Sequence, residues 1–166
     1  MKSKIIDFAA LFLLALVTGV FWGTWFTLTR SIETFSAAEF IHIGKTIIAS
    51  VAVPMRILMP SCILFMILSA WFYPEKKSPG FYFSVAGCLL IIIALLITLL
   101  AEVPIDNQIK TWTASTVSSE WEAIRDRWQL FHTARTSIFG KLRQFGLGAH
   151  ISEGKRLNRE SGSSRY

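Results

Sequence analysis

Charge and cysteine are both scarce in this chain of 166 residues: Asp, Glu, Lys and Arg together make up 17%, and there are 2 Cys. A soluble domain carries about 25% charged residues, so this composition is that of a protein whose surface is largely not in water. The two cysteines, Cys62 and Cys88, each lie inside an apolar block, where a thiol behaves as a small hydrophobe; they define neither a disulfide framework nor a zinc site. Phosphate-loop, dinucleotide and serine-hydrolase signatures are missing, because Gly146-Leu-Gly148 lacks the strand, the third glycine and the helix that such loops need. Soluble nucleotide-dependent catalysis is therefore not expected. His42 and His132 could in principle be ligands on facing helices. However, Glu39-x-x-His42 occurs once only and no His-x-x-His or Cys-x-x-Cys-His is present, so neither a metal nor another cofactor is expected.

What the chain has instead is apolar length. Hydrophobic residues make up 52%, gathered into long blocks. Apart from Asp7, Ile5–Leu28 carries no charge, and neither does Phe81–Ala101; each can cross a hydrocarbon core of about 30 Å at about 1.5 Å per residue. The first run is too long for a signal peptide and ends in Trp22, Gly23, Trp25 and Phe26 with no small-residue cleavage site, so it reads as an uncleaved anchor. Gly19 and Gly23 form a small-x-x-x-small pair that would let another helix approach. Lys2 and Lys4 before the first block, and Lys76 and Lys77 after the second, put those ends in the cytoplasm by the charge rule.

The second block, Thr46–Phe72, is interrupted by Pro54, Arg56 and Pro60. Ser36-Ala-Ala-Glu39 has the pattern of a capping box, so a helix should begin at Ser36. Two geometries fit: one long helix bent at its prolines, which is favoured, or an interfacial helix to about Val53 followed by a separate span. Glu39, His42, Thr46 and Ser50 share one face of this helix and form a polar stripe. Arg56 at membrane depth needs a partner, for which Glu39, Glu102 and Asp106 are candidates, or it snorkels to the interface. After the third span, Pro104 and Asp106-Asn107 should turn the chain out of the bilayer, with 110–117 a loop.

Ser119-Glu-Trp-Glu122 has the pattern of a second capping box, and it opens a helix with five large functional side chains on one side. At about 100° per residue, Trp121, Arg125, Trp128, His132 and Arg135 fall within about 80° of arc. Such a stripe can stack on a flat ring and hold negative charge. Each member also has a plain structural role: an interfacial anchor for the tryptophans, a pairing for Arg125 with Glu122 or Gln129 at helical spacing or with Glu102 across the fold, a structural histidine for His132. The fold class is thus all-α, an integral membrane helical bundle with three clear spans. Residues 1–136 form the bundle domain and 137–166 an atypical basic tail expected to be partly disordered. Much of the formal charge of +6 comes from that tail, through Lys141, Arg143, Lys155, Arg156, Arg159 and Arg165. No groove-reading motif accompanies it, so it suits anionic lipid headgroups, and no nucleic-acid partner is expected.

Pro-Ile-Asp-Asn at 104–107, Trp112, and the series Trp121, Arg125, Trp128, His132, Arg135, Thr136 together resemble the membrane family that includes the anthrone oxygenases, over roughly residues 5–136. The resemblance implies a four-helix membrane bundle whose last span follows directly on the His-x-x-Arg-Thr segment. Here the sequence departs, since Ser137 onward is polar and glycine-containing. Three spans leave the basic tail on the non-cytoplasmic side, against the charge rule. The resemblance further implies oxidation of an anthrone to an anthraquinone by molecular oxygen, without metal or flavin. On that reading His132 or His42 is the base, Arg125 and Arg135 hold the anion, Trp121 and Trp128 stack on the ring and Asn107 donates to a carbonyl, with Glu39 and Arg56 at the substrate. The expected partners are a small aromatic molecule and the bilayer. The competing expectation is a non-enzymatic membrane protein whose stripe is an interhelical network or a partner-binding surface.

Overall fold

The computed structural model describes residues 2–28, 31–113 and 115–138. Among them there are helices and turns and no strand: α1 (Lys2–Leu28), a 3-10 turn (Ile32–Thr34), α2 (Ala37–Trp71), α3 (Pro79–Ile97), a π-turn (Thr98–Glu102), α4 (Val103–Thr111) and α5 (121–138). Three helical segments are long and apolar enough to cross a membrane: Lys4–Leu28, Ala37–Trp71 and Pro79–Thr111. The chain is an all-α membrane helical bundle.

Local chemistry sets the helix boundaries. At the start of α2, Ser36 Oγ accepts from Glu39 N–H while the Glu39 carboxylate accepts from Ser36 N–H at 2.8 Å, closing both arms of the capping box. Pro79 opens α3, where a missing N–H costs nothing, and the Ser78 hydroxyl caps it by accepting from Phe81 N–H. Pro54 and Pro60 both lie inside α2, which runs on as one helix, the continuous alternative of the two that the sequence allowed.

Three boundaries differ from expectation. Pro104 does not end the helix: it sits at the first turn of α4, and the wider π-turn before it removes the clash that its ring would make with the carbonyl four residues back. α4 therefore continues to Thr111, into what was expected to be loop. At α5 the helix starts at 121, and it is the Ser118 hydroxyl, not Ser119, that takes an N–H, from Glu120 at 3.2 Å. The tail from 139 to 166 lies outside the described residues, as does the topology assigned to it.

Consecutive spans pack as antiparallel neighbours, α1 on α2 and α2 on α3, around one apolar core containing Val17, Phe21, Met59, Cys62, Ile91 and Ala94. A second core, with Ile32, Phe40, Ile48, Ile105, Ile109, Trp112 and Trp128, sits where α4 and α5 meet the start of α2. Gly44 permits that approach, since a Cβ there would already touch Ile109 at 3.4 Å. Lys45 Nζ ties the two elements by donating to the Trp112 carbonyl at 2.6 Å. The outward faces carry large apolar side chains such as Phe8, Phe12, Ile57 and Leu100, as lipid contact requires.

Candidate functional site

A layer of polar side chains separates the two cores. It is built from the π-turn and α4 on one side and α5 on the other. Glu102 and Arg135 are both buried and form an ion pair, and the same guanidinium donates to Thr98 Oγ1 at 2.9 Å. The Arg135 Cζ lies 4.0 Å from the centroid of the Phe21 ring on α1, a cation-π contact in a desolvated setting. Thr136 adds a second tie to α1, donating to the carbonyls of Phe21 at 3.3 Å and His132 at 2.8 Å. One turn above, Trp128 Nε1 donates to Asp106 Oδ1 at 3.0 Å, and its ring packs edge-on to Phe40 and 4.1 Å from His132.

His132 is the central residue of this layer. Its Nδ1 is 3.0 Å from the Trp128 carbonyl and 3.2 Å from Glu102 Oε1. The carbonyl takes the hydrogen, and Glu102 Oε1 has no hydrogen-bond partner among the described residues. Burial first, and the Arg135 guanidinium second, push the imidazole from its ordinary 6.5 down to about 3, against the opposing pull of the Trp128 carbonyl. The ring is therefore neutral, its contact with Glu102 is dipolar rather than a salt bridge, and Nε2 is the nitrogen that keeps a lone pair. A group whose folded pKa is depressed in this way makes the unfolded chain the better proton binder below pH 6.5. Stability is thus expected to fall as pH drops from 6.5 towards 4, by up to about 1.4 kcal/mol per pH unit from this group. Thermal unfolding of the purified protein should show this slope, and His132→Gln should flatten it; equal slopes would mean that His132 is not the titrating group.

The expected stripe is divided by depth. Trp128, His132 and Arg135 enter the polar layer. Trp121 and Arg125 stay nearer the surface, where Trp121 meets Phe40 at 6.0 Å and Arg125 stacks over Trp121 at 5.2 Å. Arg125 pairs with its neighbour Asp126 at 2.9 Å, neither with Glu122 nor with Glu102. The polar stripe of α2 is not brought to this layer: Glu39, His42, Thr46 and Ser50 are exposed, the Glu39 carboxylate serves the capping box, and His42 and His132 do not share a cavity. Arg56 is exposed on α2 and pairs with none of Glu39, Glu102 and Asp106. Asn107 is exposed on α4, its Oδ1 accepting from Lys110 at 3.3 Å.

Glu102, Thr98 and Phe21 are members that the sequence reading did not assign to the site. Glu102 carried a signal: a carboxylate between an apolar run and a proline must find a cation at depth, and Arg135 on the striped helix was available. Thr98 and Phe21 carried none. Beside His132 there is a cavity of only about 10 Å³, lined by Thr24, Leu28, Ile32, Trp128, Gln129 and His132, room for about one water molecule and for no aromatic ring. Among the described residues, no three His, Cys, Asp or Glu side chains gather at metal-binding distance. In comparison with known proteins, the family model described as anthrone oxygenase matches residues 46–140, from the third turn of α2 through α5. No curated protein and no solved structure matches significantly.

Proposed function

The chain belongs to the anthrone oxygenase family, over more than half its length, and from that premise we propose that it binds a small, acidic aromatic ketone in the membrane and oxidises it with molecular oxygen, His132 acting as the base. The observation that carries the reading is the contact of His132 Nδ1 with the Trp128 carbonyl, which leaves Nε2 as the proton-accepting nitrogen; burial and Arg135 hold the resting imidazole a weak base, so on this reading the anion that develops beside Arg135 is what raises its basicity. In the anthrone case, loss of a proton from the ring CH₂ gives a delocalised anion. That anion is electron-rich enough to reduce O₂, and overall one anthrone and one O₂ yield one anthraquinone and one water. A cation close to the developing oxyanion lowers that barrier, a role open to Arg135 if its bond to Glu102 loosens. Trp128 offers the stacking surface.

The small cavity favours a second reading, in which the same layer is an interhelical lock and no substrate enters. Purified protein in nanodiscs, given a panel of anthrones, separates the two. The enzymatic reading expects oxygen uptake at one O₂ per ketone, and His132→Ala is expected to cut it at least 100-fold, the scale of a lost general base, while the protein stays folded. Uptake no faster than in empty nanodiscs, or unchanged in His132→Ala, would leave the lock.

A further inference from the structure

At the opposite end of the bundle, α1 and α3 stand apart and leave a groove of about 980 Å³ whose floor is the last turns of α2. Its lower end is polar, with one contribution from each wall and two from the floor. Asp7 on α1 and Ser84 on α3 both line it. Ser69 donates to Asp7 Oδ1 at 2.6 Å, and Tyr73 brings its hydroxyl over Gly80, where a Cβ would collide with it. Above this polar mouth the walls are apolar, with Ala10, Ala15 and Gly19 set among the larger Leu11, Leu14 and Met66.

The hydroxyls here stand out by what they do not bond. Elsewhere in the spans, Thr24, Thr46, Ser50 and Thr98 each donate to the carbonyl four residues earlier, the usual way to satisfy a hydroxyl inside a bilayer. Thr18, Ser84 and the Tyr73 phenol all line the groove and make no hydrogen bond among the described residues. Tyr73 and Phe83 add aromatic faces beside the polar mouth, which suit a ring better than an acyl chain.

We propose that this groove binds an alkyl-substituted phenol or quinol, its ring between Tyr73 and Phe83, its hydroxyl at Asp7 and Ser84, and its alkyl part along the apolar walls towards Thr18 and Trp22. A phenolic hydroxyl donates to the carboxylate beside the Ser69 bond and accepts from the Ser84 hydroxyl, which lipid tails cannot satisfy. The volume suits a ligand of that size, since pockets for drug-sized molecules run from about 300 to 1,000 Å³. The site is independent of the His132 layer, so it stands or falls separately from the oxygenase reading.

The test uses the full chain in nanodiscs, titrated with decylhydroquinone and, in parallel, decylbenzene, with the heat of binding by calorimetry as the readout and empty nanodiscs as the blank. Saturable binding of the hydroquinone above the blank is expected, and roughly tenfold weaker affinity for decylbenzene, which lacks the donors. Ser84→Leu should fill the mouth and abolish binding. Asp7→Asn, nearly isosteric and the safer variant for folding, should weaken binding about tenfold. Equal affinity for the two probes, or wild-type binding by both Ser84→Leu and Asp7→Asn, would overturn the proposal. So would a change of oligomeric mass in Ser84→Leu with binding untouched, which would make the groove a helix-docking face.

Discussion

Arg135→Ala should be among the most destabilising single substitutions in the chain, lowering unfolding free energy by about 3–5 kcal/mol, because it leaves the Glu102 carboxylate buried without its cation. The guanidinium also bonds Thr98 and covers Phe21, so α1, α3 and α5 all lose a shared partner. The comparison that isolates the charge is the double variant Glu102→Leu, Arg135→Met, in which neither ion remains. Replacing a buried ion pair by apolar groups of similar volume is often neutral or stabilising, so this variant is expected to recover most of what the single change loses. Chemical denaturation in detergent would measure both. A loss under about 1 kcal/mol in Arg135→Ala would mean that water reaches Glu102 and that the layer is not a lock. The double variant serves the oxygenase question too: stable but unable to consume oxygen with an anthrone, it would assign the ion pair to chemistry rather than to folding.

Trp128→Ala is expected to cost a similar amount, about 3–5 kcal/mol, since a buried tryptophan at the meeting of α2, α4 and α5 is replaced by a methyl group. Part of that loss belongs to the indole N–H. Trp128→Phe keeps most of the packing on Phe40 and His132 but leaves Asp106 without its donor, and about 1–3 kcal/mol is the expected cost. If Trp128→Phe is as damaging as Trp128→Ala, the hydrogen bond to Asp106 dominates. If Trp128→Phe is neutral, packing does. Because the Trp128 carbonyl also holds His132 Nδ1, either substitution that shifts this turn of α5 should raise the imidazole pKa by letting in water, visible as a flatter dependence of stability on pH below 6.5.

The candidate site was half legible in the sequence. The angular phase of Trp128, His132 and Arg135 follows from helical geometry alone, and the structure brings those three into one layer with Glu102. The same wheel gave Trp121 and Arg125 equal weight, yet they sit nearer the surface, because a wheel reports angle and not depth along the axis. The pairing of the α2 stripe with the α5 stripe failed for a related reason. In a bilayer, polar residues on one helix face can serve a cap or reach an interface as readily as they line a site, and Glu39 does the former. Of the two readings of Arg56, an acidic partner or a snorkelling side chain, its exposed place on α2 agrees with the second.

What the sequence by itself determined is what depends on neighbouring residues and on length: three apolar runs long enough to cross a bilayer, the capping box at Ser36 and Glu39, and one face of α5 rich in functional side chains. These are short-range or compositional consequences, and no distant contact can easily reverse them. Tertiary structure decided the rest. It gave Arg135 the buried Glu102 as its partner and carried the third helix past Pro104 through a π-turn. It also buried His132 beside a cavity with room for about one water, and it left a polar-mouthed groove between α1 and α3. All of these but the π-turn join residues tens of positions apart. In a membrane protein the apolar residues that face lipid and those that face the core are chemically alike, so hydropathy identifies the spans without indicating which side of each turns inward.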